Sequence, residues 1–189
     1  EHAWLDAVRI VAVNVTSVVT TTGFALGDYT TWGSFAVLLF FYLTFVGGCS
    51  GSTSGGLKIF RFQVAYVLLK ANLQQLIHPR AVIKQQYNNH NLDEDIVRSL
   101  ITFSFFFAIT IALIALGITL TGVDWVTALT GAATAVCNVG PGLGPVIGPA
   151  GNFSTLPDAA KWLLTIGMLL GRLEILTVLV LFTRVFWKH

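Results

Sequence analysis

The chain has 189 residues, of which 54% are hydrophobic and 11% charged, and its formal net charge is only +2. Its mean hydropathy is +0.75. Soluble domains carry about 25% charged residues, so this composition excludes an ordinary soluble globule and describes a chain built for a lipid bilayer, with nothing that points to a nucleic-acid partner.

The chain opens with Glu1 and His2, and Asp6 follows within its first apolar residues. It lacks the basic start and cleavage pattern of a signal peptide, as expected of a segment lying inside a larger protein. The first element, WLDAVRIVAVNVTSVVTTTGF, reads as a helix of about a dozen residues starting near Trp4, too short to cross a membrane. It ends in the small-residue turn Thr20, Thr21, Thr22 and Gly23.

The apolar segment from Trp32 to Val46 also falls short of the ~20 residues a helix needs to cross about 30 Å of hydrocarbon. It runs into GGCSGSTSGGLKIFRF, where Gly47, Gly48, Cys49, Ser50, Gly51, Ser52, Thr53, Ser54, Gly55 and Gly56 precede a new apolar helix from Leu57 to Ile77. A phosphate loop, a flexible linker and a broken membrane helix are the candidates. The phosphate-loop template needs Gly, four residues, Gly, Lys and then Ser or Thr. Gly51 and Gly56 have that spacing, but Leu57 stands where Lys belongs and Ile59 follows Lys58. A linker has the right composition but leaves the short apolar helix before it unexplained. A break at membrane depth must face protein or water, because an unpaired peptide group in lipid is costly.

Six of the eleven Lys and Arg residues, Lys58, Arg61, Lys70, Arg80, Lys84 and Arg98, lie between this stretch and the third apolar segment. Arg184 and Lys188 lie at the C-terminal end. The positive-inside rule makes both regions cytoplasmic. Lys58, Arg61 and Lys70 fit a basic flank or a headgroup contact as well as any specific role. His78, His90 and the cluster Asp93, Glu94 and Asp95 lack metal-ligand spacing and read as a solvated loop, its acids favoured at the start of the next helix. Cys49 and Cys137 read as free thiols.

Segments Ile96 to Leu120 and Trp162 to Trp187 are each long enough to span, entering from the cytoplasm near Arg98 and returning near Arg184. Between them WVTALTGAATAVCNVGPGL begins at Trp125 as the first element begins at Trp4, and ends in Cys137, Asn138, Val139 and Gly140. A short helix, a small-residue turn with Gly, an outer loop and an apolar return helix, repeated, is the sequence shape of re-entrant pore loops. A surface helix with a loop is the alternative for either copy alone. In a pore, carbonyls of the turn replace a cation's hydration shell, Gly supplies the backbone freedom to aim them, and the negative end of the short helix favours the ion.

Arg172 and Glu174 interrupt the last apolar run. A charge there costs at least ~2.5 kcal/mol on insertion scales, so each needs a cavity or a partner. On one helix the two point about 200° apart and cannot serve each other.

TTTGF, GGCSGSTSGGLKIFR and NVGPGLGPVIGPAGNFSTLPDAAKWLLTIGMLLGRLEILTVLVLF closely resemble the C-terminal half of the TrkH membrane subunits of bacterial Trk-type potassium uptake systems, relatives of the Ktr and HKT proteins. The resemblance covers essentially the whole chain. It implies an all-α membrane protein of helix, pore-loop, helix repeats with a potassium-channel-like fold and a broken inner helix. Residues 1–78 would be part of repeat three, 79–95 a cytoplasmic loop and 96–189 repeat four. Thr20 to Gly23 and Cys137 to Gly140 would be two of four filter strands, Ser34 to Ile77 the broken inner helix, and Pro157 to Trp187 the last inner helix.

The resemblance further implies that Gly47 to Gly56 is an intramembrane gate. Arg172 would face the cation path and pair with carbonyls of that loop. The transported ion would be K+ or Na+, with no bound cofactor and no enzyme chemistry. The partners would be the remaining repeats, a second copy in a homodimer, the lipid of the inner membrane in a multi-pass arrangement, and a cytosolic nucleotide-binding regulatory subunit of the TrkA kind. Asn152, Phe153 and Ser154 match a glycosylation acceptor, which the bacterial resemblance discounts. An organic-anion transporter built on broken helices is the rival from another class, and a membrane subunit with no transport role is a second.

Overall fold

The computed structural model describes residues 2–81, 84, 86–88, 90–184 and 186–188. Glu1, the first residue of the segment expected to belong to repeat three, lies outside them. The regular structure of the described chain is almost entirely helical: α1 (His2–Val19), α2 (Ser34–Val46), α3 (Ile59–Ile77), α4 (Glu94–Thr119), α5 (Trp125–Cys137), α6 (Asp158–Arg172) and α7 (Ile175–Leu181). A two-stranded antiparallel hairpin, β1 (Gln86–Tyr87) and β2 (His90–Asn91), joins α3 to α4.

Helix α4 is the one described helix that by itself has the length and apolarity to cross a bilayer. Two acids, Glu94 and Asp95, occupy its first turn, where the helix dipole favours them. Its buried face, Phe103, Phe107, Ile111, Ile114, Ala115 and Ile118, recurs at helical spacing and packs on α5 and α6.

Helix α5 is the centre of the fold. Every residue from Thr127 to Cys137 except Leu129 is buried. Its alanines and Gly131 let α4 and α6 close in, as small residues do between membrane helices. Asp124 caps its start, accepting from the amides of Val126 and Thr127 at 3.1 and 3.4 Å. Asn138, left-handed at φ +55°, ends it.

Helix α1 is longer than the expected dozen residues, at 18. Nothing before Trp4 breaks the helix, and an exposed Asp6–Arg9 pair at 3.2 Å sits on its first turns. The repeat is therefore in register at its glycines and not at its tryptophans: Trp4 stands a turn further from Gly23 than Trp125 does from Gly140.

Beyond the first turn segment, Tyr29 stacks on Phe40 of α2 with ring centroids 4.0 Å apart. Burial, and secondarily the charge of Asp28, pushes its phenol up to about 12.

The inner helix of the first repeat is broken as expected, with α2 and α3 separated by Gly47 to Lys58. The second expectation needs correction. The last apolar run is not one helix: α6 and α7 meet at a 101° bend across Leu173 and Glu174. At this bend Glu174 lies 3.8 and 3.6 Å from Lys58 and Arg61. The 200° separation expected for Arg172 and Glu174 does not apply across that bend.

The region 79–95 is also more built than a solvated loop. Tyr87 donates its hydroxyl to Gln63 Oε1 at 2.6 Å and meets Phe60 edge-on, docking the hairpin on α3.

Candidate functional site

The two small-residue turns adopt the same backbone. In the first, Thr21 is left-handed at φ +56° and the Thr22 amide donates to the Ser17 carbonyl at 2.8 Å. In the second, Asn138 is left-handed at φ +55° and the Val139 amide donates to the Thr134 carbonyl at 3.0 Å. Gly23 at φ +83° and Gly140 at φ +120° follow, in conformations that L side chains rarely adopt. Three residues further on, a polar side chain of each short helix holds the outer loop. Asn14 pairs with both backbone groups of Leu26 at 2.8 and 3.0 Å, and Thr130 Oγ1 with both of Leu143 at 3.2 and 3.3 Å.

The two turns lie side by side. A β-carbon on Gly23 would stand 2.3 Å from the Val139 carbonyl oxygen, and one on Gly140 would stand 3.6 Å from Gly23 Cα. Gly23 is therefore in contact with Val139 and close to Gly140, and the C-terminal ends of α1 and α5 lead into the two turns. Thr134 Oγ1 accepts from the Gly140 amide at 3.0 Å and fixes the second turn.

The Gly-rich stretch is an ordered excursion and not a linker. Leu57 N donates to Phe45 O at 3.0 Å and Ile59 N to Gly48 O at 3.1 Å, closing its neck. Gly48 N donates to Ser54 Oγ at 2.9 Å, and Ser52 and Ser54 share a bond at 2.7 Å. Cys49 is exposed and Cys137 buried, both free. Gly55 carries the excursion to the turns: its amide donates to Thr21 Oγ1 at 3.0 Å, and a β-carbon on it would lie 1.9 Å from the Cys137 carbonyl oxygen.

Arg172 donates from Nη1 to the Thr53 carbonyl of this loop. The preceding residue, Gly171, abuts the end of α5 as Gly55 does: its β-carbon would lie 1.9 Å from Val136 O. A repeat that the tryptophan alignment hides thus emerges, GGLKI from Gly55 to Ile59 against GRLEI from Gly171 to Ile175. Lys58 and Glu174 hold equivalent places, each at positive φ just before a helix restarts, and they pair with each other. Arg61 joins them and lies 3.7 Å over the Phe103 ring. Lys58 and Arg61 are thus more than a topological flank. Loop, Gly171, Arg172 and Glu174 line a cavity of about 260 Å³ beneath the turns.

Over residues 6–188 the sequence matches the TrkH family, described as a cation transport protein. The chain belongs to the TrkH family. It is 66% identical over 179 residues to the Trk system potassium uptake protein TrkI of Halomonas elongata, covering 95% of this chain and 36% of that protein. To the Trk system potassium uptake protein TrkH of Escherichia coli K12 it is 39% identical, over 93% of this chain and 36% of that one. The crystal structure of the potassium transporter TrkH from Vibrio parahaemolyticus superposes with a TM-score of 0.82 at 36% identity, covering 90% of this chain and 36% of that one. This TrkH-family chain thus spans a little over a third of the length of these relatives, and the helical pore-loop fold expected from the sequence is the fold it has.

Sequence reasoning missed Asn14, Thr130, Thr134 and Gly171. Aligning the repeat on its glycines finds one of them, since Ser17 and Thr134 each stand six residues before a Gly.

Proposed function

We propose that this segment forms part of the pore of a potassium uptake protein of the bacterial inner membrane. It passes K+ or Na+ down the electrochemical gradient through a carbonyl-lined filter. Thr20 to Gly23 and Cys137 to Gly140 supply two of its strands, and the remaining repeats supply the rest. Gly47 to Gly56, held by Arg172, form the gate. The observation that carries this reading is the pairing of the two turns at Gly23 and Val139, with Gly55 seated at their base.

Electrostatics favours a cation over an organic anion. The ends of α1 and α5 that converge on the turns are C-terminal and carry partial negative charge, whereas anion sites use helix N-termini. A homodimer and a cytosolic nucleotide-binding subunit of the TrkA kind complete the assembly. That subunit docks on the basic face between Leu57 and Arg98, where nucleotide binding on the partner can move α3 and the loop before it.

The test is rubidium and sodium uptake by a full-length Trk protein carrying this segment, in cells without their own potassium uptake, with Gly140→Ser as comparison. Rubidium uptake that Gly140→Ser reduces or makes unselective supports the filter. Absence of flux for both ions from protein that reaches the membrane contradicts it.

A further inference from the structure

Thr21 is the one β-branched residue at positive φ among the described residues, and a β-branched side chain in the left-handed region is a steric outlier. Asn138, its counterpart in the second turn, is a residue type that tolerates this conformation. Strain held at a functional position is a reason to ask what the side chain does there. The Thr21 hydroxyl accepts the amide of Gly55, a loop residue 34 positions away, at 3.0 Å. The same Gly55 presses its Cα against the Cys137 carbonyl, with no room for a β-carbon. In the second repeat Asn138 Nδ2 donates to Met168 O of α6 at 3.2 Å. The left-handed residue of each turn is therefore tied to the inner helix, or helix-breaking loop, of its own repeat.

We infer that Thr21 is the residue that couples the gate loop to the filter, with Gly55 as its counterpart on the loop. With the loop in place, the Gly55 amide puts a partial positive charge on the hydroxyl at the base of one strand, and Gly55 Cα covers the carbonyl at the base of the other. Both oxygens are of the kind a dehydrated cation takes as ligands. The loop thus fills with its own backbone the innermost place a cation would occupy. Withdrawal of Gly55 frees both oxygens together. Since coupling between two equilibria is reciprocal, a cation that binds the freed oxygens holds the loop away in turn. This inference rests on the filter and gate reading above.

The test compares Thr21→Ser, Thr21→Val and Gly55→Ala in the full-length protein, as rubidium flux per unit of protein in the membrane and as the rubidium to sodium ratio. Thr21→Ser keeps the acceptor for the Gly55 amide and stays closer to wild type in flux and ion ratio than Thr21→Val does. Thr21→Val removes it and raises flux at least threefold with a changed ion ratio. Gly55→Ala cannot seat against Cys137 O and raises flux while Thr21 is intact. Thr21→Val matching Thr21→Ser, or Gly55→Ala matching wild type, overturns the coupling. Should Thr21→Val fail to reach the membrane, Gly55→Ala decides alone. A selectivity loss in Gly140→Ser alongside wild-type behaviour of all three variants leaves the filter standing and removes only the coupling.

Discussion

The guanidinium of Arg172, at the end of α6, donates to the backbone carbonyl of Thr53 in the loop between α2 and α3, 119 residues earlier. That bond joins the breaks of two inner helices. It explains how a cation can stand in a run this apolar, since its partner is a carbonyl that no helix satisfies.

Removing the bond should favour the displaced loop. A hydrogen bond to a charged group contributes about 1.5–3 kcal/mol, and 1.4 kcal/mol is about a tenfold change in an equilibrium. Arg172→Ala in the full-length protein is expected to raise rubidium uptake about tenfold, or until the open fraction saturates. Arg172→Lys, which keeps charge but loses the planar fork, is expected to fall between. Uptake assays at matched membrane expression check this, and unchanged or lower flux removes the gate role of Arg172.

Glu174 holds Lys58 and Arg61 while its own side chain remains 53% exposed, so the pair is a weak one. Glu174→Gln alone is expected to alter flux by less than about fivefold, corresponding to the ~0–1 kcal/mol of partly exposed ion pairs. The effect should vanish in a Lys58→Gln, Arg61→Gln background. A double-mutant cycle on uptake rates measures it, and full additivity contradicts the pairing.

Thr134 offers a cleaner test of filter support. Thr134→Val removes the acceptor of the Gly140 amide in a part-buried bond, a loss of about 0.5–1.5 kcal/mol. It should lower ion selectivity, while Thr134→Ser retains it. Equal rubidium to sodium ratios in the two variants would show that the hydroxyl does nothing for Gly140.

Gly171→Ala places a methyl on the Val136 carbonyl, where 1.9 Å is available. Close packing of α6 on α5 cannot absorb it without backbone movement, so thermal stability of the purified protein should fall, by an amount typical of overpacking, about 1–3 kcal/mol. A melting temperature equal to wild type contradicts that packing.

Much of this was legible in sequence. The short helices ending in TTTG and CNVG, the interruption from Gly47 to Gly56 and the need of Arg172 for an acceptor all follow from hydropathy, length and the cost of bare backbone in lipid. The break at Leu173 and Glu174 was not, because the cations that Glu174 meets there, Lys58 and Arg61, are distant in sequence and supplied by another element. The length of α1 was misjudged because tryptophans, which anchor at interfaces, make poor markers of register, whereas the glycines at positive φ mark it well. The GGLKI and GRLEI pair escaped for a related reason. Its middle positions differ in charge, and only the contact between Lys58 and Glu174 reveals why opposite signs suit equivalent places.

The central claim is that the paired turns at Gly23 and Gly140 select and pass a dehydrated cation. Paired rubidium and sodium uptake in the full-length protein, wild type against Gly140→Ser, tests it most directly. The account expects rubidium flux with a preference that the serine variant loses, because the strand at φ +120° must shift to accept a side chain. An unchanged ion ratio and rate in Gly140→Ser, at equal membrane expression, would contradict it.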